Sequence, residues 1–141
     1  MPKSALVTTI SERPCGGIAP ADANDRLAKP SYDLKSLPRQ HALLAELADG
    51  LRACGLDVFQ TDHEDAQGQY EINFMHADAL ASADALMRFK QAAHALAERH
   101  GSIFSMMPKP FANQPGSGMH FHVSLWQGER GLFDDTAEGM P

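Results

Sequence analysis

The stretch Asp62-His63-Glu64-Asp65-Ala66-Gln67-Gly68-Gln69-Tyr70-Glu71-Ile72-Asn73-Phe74-Met75 decides how this 141-residue chain is read. From Gln69 to Met75, Tyr70, Ile72 and Phe74 alternate with Gln69, Glu71 and Asn73. A period of two gives a strand one apolar and one polar face. Leu56 to Asp62 reads as a second strand, and Gly68 breaks the chain between the two. Strands this close in sequence pair as an antiparallel hairpin.

Upstream of the hairpin, Leu43, Leu44, Leu47, Leu51 and Cys54 fall at helical spacing. They predict a helix over 37–54, with Pro38 tolerated in its first turn and Gly55 ending it. Downstream, Asp78 is placed to cap a second helix running to about His100. Leu86, Phe89, Ala93 and Leu96 form its apolar stripe and Gly101 stops it. Ile103 to Met107 is expected as a short strand. Pro108, Pro110 and Pro115 hold a loop that Gly116-Ser117-Gly118 closes, and Met119 to Trp126 is expected as a last, strictly alternating strand. Residues 1–28, broken by Pro14, Gly16, Gly17 and Pro20, are expected to be poorly structured, with the folded domain over 29–141. Helix, two strands, long helix, two strands makes an α+β class, antiparallel strands with packed helices.

Composition narrows the function. The chain holds 18 Asp+Glu against 12 Lys+Arg, a net charge of −6, so no basic surplus exists to displace counterions from a nucleic acid. Apolar residues make up 43%, too many for a disordered chain. No run approaches the ~20 apolar residues that cross a bilayer. The apolar stretch Ala5-Leu6-Val7 is too short for a secretory leader, and Cys15 and Cys54 lack metal or redox spacing. Two free thiols in the cytoplasm are expected.

Two patterns carry chemistry. Glu64 and Glu71 flank the glycine turn, so the hairpin can bring both carboxylates to one sheet face. Converging carboxylates repel unless a cation lies between them, and Mg²⁺ and Mn²⁺ take such oxygen ligands. Without that cation, the same residues make a solvated acidic hairpin tip. In Gly116-Ser117-Gly118-Met119-His120-Phe121-His122-Val123-Ser124, strand alternation puts His120, His122 and Ser124 on one face. The two imidazoles then stand roughly 6.5–7 Å apart along the strand, which suits two jobs rather than one small ion. The glycines let backbone N–H groups approach an anion.

Together and in this order, these segments resemble the glutamine synthetase catalytic domain over about Lys29 to Trp126. Tyr32-Asp33-Leu34, Ala77-Asp78-Ala79-Leu80, Arg99-His100-Gly101 and Met107-Pro108-Lys109-Pro110-Phe111 add to the resemblance. The run His63-Glu64-Asp65-Ala66 with Gly68-Gln69 is most similar to the bacterial type III, GlnT-like branch. The resemblance implies a partial catalytic domain of an ATP-dependent ligase that forms glutamine from glutamate and ammonia through a γ-glutamyl phosphate. It implies two or more Mg²⁺ or Mn²⁺ ions and a homo-oligomeric ring for the full-length family. By position, Glu64 and Glu71 would hold one metal ion and His120 the second. His122 and Ser124 would contact ATP, and Gly116 would offer backbone to glutamate. Most of the family has an Asn-Gly step before Ser-Gly-Met-His, whereas here Gln114-Pro115 precede Gly116 and the proline removes an amide side chain, which points to a related γ-glutamyl ligase for another amine. The upstream Glu-x-Glu strand and the C-terminal arginines of the family are missing from this sequence, so the isolated chain is expected not to turn over. A non-catalytic, metal-binding relative is the alternative from another class.

Overall fold

The chain runs β1 (Lys3–Glu12), β2 (Ile18–Pro20), α1 (His41–Ala53), β3 (Val58–His63), β4 (Gln69–Phe74), α2 (Ala79–Arg99), β5 (Ile103–Ser105), β6 (Met119–His120), β7 (Trp126–Gln127) and β8 (Arg130–Gly131). This is a computed structural model that describes residues 3–12, 17–29 and 31–133. A 3₁₀ turn, Leu37–Gln40, leads into α1 with Pro38 in its first positions. Gly55, at φ +82°, turns the chain out of α1, and the Leu56 amide closes back on the Leu51 carbonyl at 3.0 Å.

β3 and β4 form the expected antiparallel hairpin, with Thr61 opposite Ile72, Asp62 opposite Glu71 and His63 opposite Tyr70. The apolar face of β4, Tyr70, Ile72 and Phe74, is buried. It packs with Leu44, Leu47 and Leu51 of α1, with Phe89, Ala93 and Ala97 of α2, and with Val58 and Phe104. Both helices therefore cover one side of the sheet, and the polar face of β4 is turned away from them. Each fully buried side chain such as Ile72 or Phe89 contributes about 1.5–3 kcal/mol through the water it leaves.

Two expectations are corrected. Residues 1–28 are not poorly structured throughout. β1 is central in the sheet, paired along Lys3 to Thr8 with β4 on one edge and with β5 and β6 on the other. Val7, Thr8, Thr9 and Ile10 are residues that favour extended backbone, and partners on both edges satisfy the strand's amides. Pro14, Cys15, Gly16 and Pro30 lie outside the described residues. The long strand expected over Met119 to Trp126 shrinks to Met119–His120, which pair with Ala5 and Ser4 of β1 before the chain leaves the ladder. Trp126–Gln127 pairs instead with Arg130–Gly131 around Gly128, at φ +62°. Asp78 does stand at the start of α2, yet its side chain makes no capping hydrogen bond. Cys54 is a free, exposed thiol. Among the described residues no helix is long and apolar enough to cross a membrane.

Candidate functional site

The β3–β4 register puts Glu71 directly opposite Asp62, on the side away from the helices. One step further, the Glu64 amide donates to the Gln69 carbonyl at 2.9 Å, so the ladder carries Glu64 beside Glu71. The two carboxyl groups stand close enough to interact. Burial, then the contact with Glu71 and its charge, raises the Glu64 pKa to about 7. Near neutral pH the Glu64 carboxyl is therefore partly protonated. Burial likewise raises Asp62, against the Gln60 amide that donates to its Oδ2 at 2.7 Å, and the charge of Glu71 adds to the rise. The Tyr32 phenol is pushed up by Glu64 first and Glu71 second, which sets it at the rim of the same patch. Its backbone is left-handed, φ 59°, and its amide donates to the His63 carbonyl at 2.8 Å.

Behind the carboxylates lies a buried brace. The His63 ring donates from Nδ1 to the Glu64 carbonyl at 2.8 Å and meets Asp25 Oδ2 through Nε2 at 2.7 Å. The same Asp25 oxygen accepts from the Gly68 amide at 2.6 Å. Burial opposes a charge on His63, but the bonds to Asp25 and the Glu64 carbonyl outweigh it and its pKa rises. Asp25 and His63 thus hold both ends of the 64–68 turn. On the front of the hairpin, the Gln69 side chain donates to the Gly116 carbonyl and to Ser117 Oγ, each at 2.9 Å. Gly116 therefore lies on the carboxylate side of the sheet. A Cβ there would meet the Pro108 carbonyl oxygen at 2.8 Å, a closeness only glycine allows.

His120, His122 and Ser124 form a second group. Exposed, they line a cavity of about 420 Å³ with His76, Phe74 and Leu86, between the first turns of α2 and the chain after β6. Because the strand stops at His120, consecutive residues from Met119 to Ser124 all face this cavity rather than alternating. Ser124 Oγ accepts from the Trp126 indole at 2.9 Å. β1 runs between the two groups, with Ser4 opposite Asn73 on one edge and opposite His120 on the other. Leu6 is the β1 residue opposite Glu71. Among the described residues no three His, Cys, Asp or Glu gather closely enough to hold a metal ion. The Glu64 and Glu71 oxygens fit a hard divalent cation as two ligands, leaving the rest of its shell to water or substrate oxygens.

Residues 5–140 match the family model of the glutamine synthetase catalytic domain. The chain belongs to the glutamine synthetase family. The match takes in β1, ahead of residue 29 where the sequence reading starts the domain. Within the family, the chain is 49% identical over 123 residues to a glutamate–methylamine ligase of Methyloversatilis universalis, covering 87% of this chain and 28% of that protein. It is 40% identical over 118 residues to a glutamine synthetase of Rhizobium meliloti, covering 82% and 27%. A ligand-free GmaS structure superposes with a TM-score of 0.83 at 39% identity, covering 97% of this chain and 33% of that one. Plasmodium falciparum glutamine synthetase, at 19% identity and a TM-score of 0.77, shares the fold. The chain spans less than a third of the length of the curated relatives described.

Sequence reasoning missed Asp25, Tyr32, His76 and Gln69 as parts of these sites. Asp25 reaches His63 from 38 residues away and gives no local signal. Gln69 sits on the polar side of a clean alternation, the pattern of a solvated residue, yet it is buried.

Proposed function

We propose that this chain is part of an ATP-dependent γ-glutamyl ligase that joins glutamate to a small amine, with methylamine as the favoured nucleophile. The observation that carries the reading is the contacting Glu64–Glu71 pair, facing the Gly116 loop, in a chain 49% identical to a glutamate–methylamine ligase. ATP would phosphorylate the γ-carboxylate of glutamate, and the amine would displace phosphate from the acyl phosphate to leave a γ-glutamyl amide. Glu64 and Glu71 would hold Mg²⁺ or Mn²⁺, which when bound offsets negative charge on reacting oxygens. His120 is the residue assigned to a second ion. His122 and Ser124 would contact the nucleotide in the cavity they line. Gly116 would present backbone to glutamate, its position fixed by Gln69 and Pro108. Pro115 lies beside that glycine where most of the family has an amide side chain, which supports an amine other than ammonia. Ammonia, with glutamine as product, is the second reading, supported by the 40% identity to a glutamine synthetase.

The test is amine-dependent phosphate release by the full-length protein that carries this chain, with ATP, glutamate and Mg²⁺ present. Faster release with methylamine than with ammonia at equal concentration is expected. Faster release with ammonia selects the second reading, and ATP turnover independent of any amine refutes both. The isolated chain is expected to show no ADP release above blank. Its Mn²⁺ affinity should fall at least tenfold in Glu71→Ala, and an unchanged affinity would favour a non-catalytic relative.

A further inference from the structure

We infer that Gln69 is a positioning residue, which fixes the Gly116–Ser117 loop against the Glu64 and Glu71 carboxylates. The inference rests on the ligase reading of those residues and adds a residue to it.

Alternation puts Gln69 on the same face of β4 as Glu71 and Asn73. Glu71 and Asn73 are half-buried, but Gln69 is 1% exposed. The cover is the loop at Gly116 and Ser117, remote in sequence and outside any strand. The Gln69 amide uses both its donor hydrogens and its carbonyl. Oε1 accepts from the Ala66 amide at 3.0 Å, and Nε2 donates to the Gly116 carbonyl and to Ser117 Oγ. A buried amide satisfied this fully has one orientation, because flipping it would set donor against donor at Ala66. The backbone of the same residue closes the carboxylate turn, donating to the Ala66 carbonyl at 3.0 Å and accepting from the Glu64 amide at 2.9 Å.

One residue is thus bonded through its main chain to Glu64, stands two positions from Glu71, and is bonded through its side chain to the loop. The loop is closed on itself by the Ser117 amide donating to the Pro108 carbonyl at 2.8 Å. The Gln69 side chain then holds this closed loop against the hairpin that carries the carboxylates. Reacting groups demand such control, since displacements of about an ångström cost rate. Another buried polar residue in β4 could satisfy the turn. An amide of this length also reaches the loop.

NMR on the full 141-residue chain tests this. In the wild type, nuclear Overhauser effects are expected between the Gln69 side-chain amide protons and Gly116 and Ser117. Their absence overturns the proposal without any variant. In Gln69→Met, and in Gln69→Glu should the first fail to fold, hydrogen exchange at Ser117 and Gly118 should quicken at least tenfold while Ile72 stays within twofold. Exchange at Ser117 within twofold of wild type overturns the tether. Mn²⁺ should broaden the Glu64, Glu71 and Gly116–Gly118 signals of the wild type together. In the variant, broadening should persist at Glu64 and Glu71 and fall at least threefold at Gly116–Gly118. Uniform loss of broadening at all of them marks a merely structural role for Gln69 and overturns the positioning claim. If Mn²⁺ leaves Glu64 and Glu71 untouched in the wild type while the Overhauser and exchange results hold, the ligase reading fails and the tether stands.

Discussion

Glu64→Gln should make the chain more stable at pH 8 and leave it unchanged near pH 4.5. In the fold, burial and then Glu71 raise the Glu64 pKa from 4.5 to about 7. A rise from 4.5 to about 7, at about 1.4 kcal/mol for each tenfold change in proton affinity, sets a ceiling of about 3.5 kcal/mol. The carboxyl is partly open to solvent, and screening brings the expected effect to about 1 kcal/mol. The sign follows from proton binding. The folded state holds the Glu64 proton more tightly than the unfolded chain. The wild type therefore loses stability as pH climbs from 4.5 through about 7, with no further loss from this group above that. A glutamine keeps a donor toward Glu71 and does not titrate. Urea melts of both proteins with a chelator, at intervals from pH 4.5 to 8, should show a gap that opens with pH and levels off near 8. A gap constant with pH, or a variant less stable than wild type at pH 8, would refute the reasoning. Adding Mn²⁺ at pH 8 should reverse the order. A hundredfold excess over the dissociation constant would stabilise the wild type by about 2.7 kcal/mol, and the variant by less.

Asp25→Ala leaves the buried His63 ring and the Gly68 amide without their shared acceptor and should cost about 3–5 kcal/mol, read from urea melts at pH 6. Gly116→Ala drives a methyl into the Pro108 carbonyl oxygen and should cost about 1–3 kcal/mol, with amide shifts confined to 106–120. Phe89→Ala removes a fully buried ring that meets Phe104 edge-on at 5.8 Å between centroids, and should cost about 3–5 kcal/mol by the same melts.

The hairpin and both long helices were legible because each shows its own period over enough residues to stand out. Tyr70, Ile72 and Phe74 go where alternation sends them, and the Glu64–Glu71 contact follows from a spacing of seven across a glycine turn. What was not legible depends on partners remote in sequence. Val7 to Ile10 favour extended backbone, but the run shows no alternation, and Lys3–Glu12 becomes a strand by pairing with β4, β5 and β6. The alternation from Met119 to Trp126 is real, but pattern alone cannot tell where a partner strand runs out. The same limit hid Gln69, whose burial is set by a loop far along the chain, and left the two candidate groups to be found as neighbours across β1 rather than as one cluster.

The central place of β1 also fixes an order of assembly. The hairpin and the α1–α2 pair join neighbours and can form early, whereas Ser4 has to meet Asn73 and then His120, near the opposite end of the chain. Such distant pairings slow folding. During synthesis β1 waits for β5 and β6, made about a hundred residues later, before the sheet can close around it. Until then β1 presents a bare edge, the kind of surface on which nascent chains stick to one another.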